Sequence, residues 1–187
     1  ERLFRPSPGQ FAVFCVALAF HTVFLVERGA RLGHCPLSNL TEVLAFLAWA
    51  VGVFYVVLGP LYHLTLLGVL TAPLLCLLLL VAQVLPVDVP KPLPEGGPML
   101  ELHASLSMMA YGALGLAGLT GLVFLIQDHC LKRKRLEEWL ANLPSLHQLA
   151  RVNRRILLLG LALLTVGLGA GFFVPGARDS VKLGWSV

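Results

Sequence analysis

The chain has 187 residues, of which 57% are hydrophobic and 13% charged, with a mean hydropathy of +0.82. Soluble domains carry about 25% charged and 45–50% apolar residues, so an ordinary soluble globule is excluded. The formal net charge of +4 comes from clustered Lys and Arg at the ends of apolar runs, a pattern of membrane topology rather than of nucleic-acid binding, and no nucleic-acid partner is expected.

No charge falls within 6–26, 43–87, 102–127 or 156–177. A hydrocarbon core about 30 Å thick is crossed by about 20 apolar residues at 1.5 Å each. Each interval therefore accommodates one span and the longest accommodates two, divided at Pro60, which lacks the N–H a continuing helix needs. The expectation is an all-α, polytopic transmembrane helix bundle with spans at about 10–27, 40–59, 61–85, 100–127 and 156–174. Backbone polar groups find no partner in lipid, which forces helices. A barrel strand would alternate in polarity, and "LLCLLLLV" does not. The chain begins at Glu1, and its tail "DSVKLGWSV" reads as the start of a sixth span, so a segment of a longer protein is expected, built as a single membrane domain over 1–187.

In the first connection, "PLSNLTEVL", Ser38 or Asn39 is placed to cap the second span, with Glu42 in its first turn against the helix dipole. The segment "PVDVPKPLPEGGP" (86–98) has five prolines in thirteen residues and reads as an extended loop. Seven of the fourteen Lys and Arg residues lie in 132–155. Positive residues favour the cytoplasm, so 131–155 is expected to be a cytoplasmic basic loop, 86–98 an external one, and the N-terminus cytoplasmic. Leu136, Trp139, Leu140 and Leu143 suit a short surface helix ended by Pro144. Cys15, Cys35, Cys76 and Cys130 share no metal-ligand spacing and no redox motif.

This topology sorts the six histidines. His34, His103 and His21 fall in the outer half, His21 about 9 Å below the outer end of its span. His63, His129 and His147 fall on the inner side. Intramembrane ionisable residues are functional candidates, and a neutral imidazole is a good axial ligand for haem iron. His103, with His21 or His34, is the candidate metal or haem site; hydrogen bonding between helices is the plainer role for each. Ser107 and Tyr111 follow His103 at i+4 and i+8 and are expected on its face. Ala113, Ala117 and Gly121 repeat at spacing four, and Gly167 and Gly171 form GxxxG, both expected at close helix contacts.

Two stretches, "GHCPLSNLTEVLAFLAW" (33–49) and "LHASLSMMAYGALGLAGLTGLVFLIQ" (102–127), are followed by a basic loop containing "LPSL" and by "LLLGLALLTVGLGAGFF" (157–173). In this order they resemble the cytochrome c assembly family of the CcsA, ResC and CcmC type, most of all its HemX-like or YpjD-like branch. The resemblance implies haem as cofactor, with His103 as an axial ligand to haem iron. It also implies other cytochrome c assembly proteins, or a soluble enzyme of haem biosynthesis, as partners beside membrane lipid, and the bacterial inner membrane as location. The chain departs from the haem-delivering members: after Phe173 it has Trp185 but no tryptophan-rich run and no later histidine. Two functions are therefore expected in competition. One is a haem-handling assembly factor that binds or presents haem near the outer face, a carrier rather than an enzyme. The other is a membrane regulator or scaffold of haem biosynthesis acting through its basic cytoplasmic loop. A transporter ranks last, because no charge lies mid-membrane.

Overall fold

The computed structural model describes residues 8–61, 65–84, 97–133 and 145–174. They form five helices, α1 (Pro8–Leu32), α2 (Leu40–Leu61), α3 (Thr65–Val84), α4 (Gly97–Lys132) and α5 (Leu146–Gly171), with no strand among the described residues. α1, α2, α4 and α5 are long and apolar enough to cross a membrane, and α3 contributes a shorter apolar stretch, Thr71–Val84. The proline-rich segment, the proposed surface helix at 136–143 and the start of a sixth span lie outside the described residues.

Side-chain register fixes the helix directions. α1 and α2 run antiparallel: a Cβ at Gly52 would meet Leu18 at 3.0 Å, Trp49 Nε1 donates to Thr22 Oγ1 at 2.8 Å, and Arg28 pairs with Glu42 at 2.8 Å. α2 and α4 run parallel, since Met108 and Met109 pack on the Ala45 and Phe46 cluster while a Cβ at Gly112 would lie 2.7 Å from Ala50 Cβ. α4 and α5 are antiparallel, with Gly167 against Ser107, Gly160 against Ala113 and Leu114, and Gly121 against Asn153. This is the most extensive contact in the bundle. The small-residue face of α4 is thus spent on α5, where it lets the two backbones approach closely. α2 and α4 form the spine. α3 packs mainly on α2, as does α1, which leaves Val13, Phe20 and Val23 of α1 exposed as a lipid-type surface.

One end of the bundle therefore gathers the end of α1, the 33–39 connection, the start of α4 and the end of α5. Gly33 closes α1 at φ 73°, its N–H donating to Gly29 O at 2.9 Å, a left-handed position that suits glycine. Asn39 caps α2 as expected: its Oδ1 accepts from Glu42 N at 2.8 Å. The Glu42 carboxylate reaches back to Ser38 N at 3.0 Å and Ser38 Oγ at 2.6 Å, a variant of the capping box.

Helices α1 and α5 run beyond the expected spans. α1 continues past 27 to Leu32 because its polar last turns are paired, Glu27 with Arg31 and Arg28 with Glu42. His21 lies eleven residues, about 16 Å, from the end of this longer helix. α5 begins at Leu146, capped by Ser145, whose Oγ accepts from Gln148 N at 3.3 Å, so the 146–155 part of the expected basic loop is a polar helical extension of α5.

Candidate functional site

His103 stands in the second turn of α4 and faces the last turns of α5. Its Nδ1 lies 2.7 Å from the backbone oxygen of Gly167. A carbonyl can only accept, so Nδ1 carries the proton and donates, and in the neutral ring the Nε2 lone pair stays available. The approach depends on α5 lacking side chains here. A Cβ at Gly171 would stand 2.9 Å from His103 Nδ1 and 3.0 Å from Cε1, and one at Gly167 would stand 3.1 Å from Ser107 Oγ. The two glycines of GxxxG form the bed on which the imidazole rests. Ser107, 7% exposed, has its Oγ buried with no hydrogen-bond partner.

The expected stripe reaches no further. Tyr111 is 48% exposed, because eight residues at about 100° each turn it about 80° away from His103. His21 lies in the α1–α2 seam, at the position between Leu18 and Leu25, with Nε2 buried and without a partner; its ring is 6.3 Å from that of Phe24. His34 sits in the 33–39 connection at the same end of the bundle as His103, with Nδ1 donating to Cys35 O at 2.9 Å. Among the described residues no three His, Cys, Asp or Glu side chains gather as a metal site. The site therefore centres on His103, Ser107, Gly167 and Gly171; His34 shares its end of the bundle and His21 is set deeper, against α2. His129 is exposed, and His147, also exposed, accepts from Arg151 at 2.8 Å; His63 lies outside the described residues.

Beside the site, Glu42 is 5% exposed and fully engaged by Arg28, Ser38 and its own cap, a structural tie between α1 and α2. Cys35 is held above the ordinary thiol value, first by burial and then by the carboxylates of Glu101 and Glu42, which keeps it a neutral thiol. Cys35 and Leu37 pack on the same Leu25, Ala45 and Phe46 cluster as Met108 of α4, which brings α4 close to the 33–39 connection.

The partner of His103 was the element that sequence reasoning missed. GxxxG in α5 signalled close packing, but nothing in a single sequence identifies what packs there.

The sequence matches the family model described as "Cytochrome C assembly protein" over residues 37–174. The chain belongs to the cytochrome c assembly protein family. Within it the chain is similar to Protein HemX of Brevibacillus brevis, 27% identical over 164 residues, covering 86% of this chain and 60% of that protein. It is also similar to the cytochrome c biogenesis protein CcsA of Chlamydomonas reinhardtii, 31% identical over 162 residues, covering 80% of this chain and 43% of the relative, and to Protein HemX of Bacillus subtilis (strain 168), 23% identical over 164 residues, covering 86% and 59%. The chain thus spans about half the length of these curated relatives. No solved structure matches it significantly. The family match takes in His103, Gly167 and Gly171, together with the Asn39 cap.

Proposed function

We propose that this cytochrome c assembly family protein binds and presents haem at the end of the bundle that carries His103, with His103 Nε2 as axial ligand. The observation that carries this reading is the hydrogen bond from His103 Nδ1 to Gly167 O at 2.7 Å. Ligating histidines commonly donate their second ring nitrogen to a carbonyl or carboxylate, which fixes tautomer and orientation and raises ligand basicity. Haem would supply the iron that this lone pair meets. The chain's own contribution is to hold the ring on α5 with Nδ1 committed to Gly167 O and to exclude water along the small-residue seam. No residue here is assigned bond-making chemistry, so the role is that of a carrier or assembly factor.

His34 is the better second candidate ligand, because it shares the end of the bundle with His103 and its Nδ1 is likewise committed to a carbonyl. His21 lies deeper, Ser107 belongs to the site itself, and Tyr111 is turned away from it. The clustering of Lys and Arg supports an external position for this end and a cytoplasmic N-terminus and basic segment; the similarity to bacterial HemX proteins supports a bacterial inner-membrane location, and 1–187 is read as one multi-pass domain. The test is the absorption spectrum of the purified protein with and without dithionite. A sharp reduced α-band in the parent protein, lost in His103→Ala and restored in His103→Gly by added imidazole, supports the reading. A folded protein with no Soret band after haem addition overturns it.

A second reading, a regulator or scaffold contacting a soluble haem-biosynthesis enzyme, is favoured by the polar extension of α5, where Arg151, Arg154 and Arg155 are exposed. Its test is capture of such an enzyme by the intact protein and loss of capture when these arginines become glutamines.

A further inference from the structure

The first turns of α5 carry their cations on the side away from the bundle. Leu149, Val152, Ile156 and Gly160 are buried and, at about 100° per residue, share one face. Arg151, Arg154, Leu158, Leu161 and Thr165 fall within about 80° of one another on the opposite face. Both arginines and Thr165 are exposed, as are Leu158 at 55% and Leu161 at 57%. No charge follows between 156 and 177, and α5 is long and apolar enough to cross a membrane. The cationic face therefore runs straight into a lipid-facing stripe, with Leu158 about 6 Å along the axis from Arg154. Thr165 Oγ1 donates to Leu161 O at 2.8 Å, so the stripe acts as apolar surface.

The charge on this face is unbalanced. Arg151 and Arg154 form no ion pair among the described residues, where the pairs printed by geometry are Arg28 with Glu42, Arg31 with Glu27 and Lys132 with Asp128. Arg151 Nη2 donates to His147 Nε2 at 2.8 Å, a neutral acceptor that leaves the guanidinium charge and its other N–H donors unmatched. Arg154 follows three residues later, a spacing at which like charges on a helix repel. An anion between the two guanidinium groups relieves that repulsion. The stripe below decides what kind of anion fits. A soluble protein or a free phosphate meets the arginines and leaves Leu158 and Leu161 bare, whereas a phospholipid covers both.

We infer that this face of α5 is a binding site for an anionic glycerophospholipid, its phosphodiester held between Arg151 and Arg154 and its acyl chains lying along Leu158 and Leu161. The soluble-enzyme reading draws on the same arginines, and the test separates the two. The haem reading is independent of it, since no variant below touches His103.

The test uses the full chain in mild detergent with equal amounts of dioleoylphosphatidylglycerol and dioleoylphosphatidylcholine, the retained lipids being counted by native mass spectrometry. Each arginine near a lipid surface corresponds to about a fivefold gain for an anionic lipid, so phosphatidylglycerol is expected to bind roughly 25-fold tighter. Arg151→Gln with Arg154→Gln should abolish that preference while phosphatidylcholine binding persists. Lys132→Gln removes the same charge at the same end of the bundle, but from a side chain tied to Asp128, and should leave the preference in place. Melting without added lipid checks the fold. If the double variant melts early, the single variants decide: a loss of about fivefold in each supports the site, and no loss in either overturns it. Equal retention of the two lipids by the parent chain, a preference that survives the double substitution, or an equal fall in Lys132→Gln each overturn the inference. Displacement of phosphatidylglycerol by equimolar glycerol 3-phosphate overturns it too, reassigning the arginines to a free phosphate. Arginine-dependent capture of a soluble haem-biosynthesis enzyme that excess phosphatidylglycerol does not relieve reassigns them to that enzyme.

Discussion

At the scale of single residues, the position of one imidazole rests on two missing side chains. His103 reaches Gly167 O at 2.7 Å because neither Gly167 nor Gly171 has a Cβ. Gly171→Ala puts a methyl 2.9 Å from His103 Nδ1, closer than atoms tolerate, and the ring must turn. Gly169→Ala is the matched control, because a Cβ there meets nothing within 4 Å. On the haem reading, Gly171→Ala lowers haem affinity by roughly tenfold, the lower end of effects seen when a ligand's supporting bond is lost, while Gly169→Ala leaves it unchanged; haem titration followed at the Soret band measures both. The Asn39 cap gives a second residue-scale outcome. Removing its Oδ1 leaves Glu42 N without the bond at 2.8 Å, and Asn39→Ala should cost about 1 kcal/mol, read as a lower melting temperature in detergent with haem binding intact.

At the scale of elements, close approach decides which helices are neighbours. Gly112 faces Ala50 so tightly that an added Cβ would stand 2.7 Å from Ala50 Cβ and 3.1 Å from Ala50 C, backbone that cannot step aside. Gly112→Val should therefore separate α2 from α4 and cost about 1–3 kcal/mol, whereas Gly115→Ala, open on every side, should be neutral or stabilising by up to about 1 kcal/mol; thermal unfolding of the two variants side by side checks the difference. The sequence made the existence of these helices plain, because an uncharged run of such length in lipid has no other way to satisfy its backbone. Their ends were less plain. Hydropathy marks where the hydrocarbon ends, and a helix passes that boundary when its polar turns are paired or capped, as at Arg28–Glu42 and at Ser145. Helix neighbours were hidden altogether. Gly112 and Gly115 look alike in sequence, yet one meets Ala50 and the other meets nothing. For the same reason the histidine was identifiable as a candidate from its position, while the carbonyl that fixes its tautomer was not: a backbone oxygen leaves no trace in residue identity.

At the scale of the whole molecule, the alternation of helix directions places Cys35 and Cys130 at opposite ends, one in the connection after α1 and the other two residues before the end of α4 at Lys132. Nature has thus supplied one thiol for each side. If the end carrying His103 faces outward, a membrane-impermeant maleimide added to intact cells labels a variant retaining only Cys35, and labels one retaining only Cys130 only after the membrane is opened. The rate adds an internal check. Maleimide reacts with the thiolate, and burial together with the carboxylates of Glu101 and Glu42 holds Cys35 above the ordinary thiol value. Its labelling should therefore be slow at neutral pH and should rise as pH climbs past that value. Glu101→Gln removes one of the opposing charges, lowers the thiol's pKa and speeds labelling at neutral pH, while Cys130 at the far end stays unaffected. Labelling of Cys130 from outside, with Cys35 protected, would invert the bundle and place His103 on the cytoplasmic side, because His103 is tied to the end that Cys35 reports.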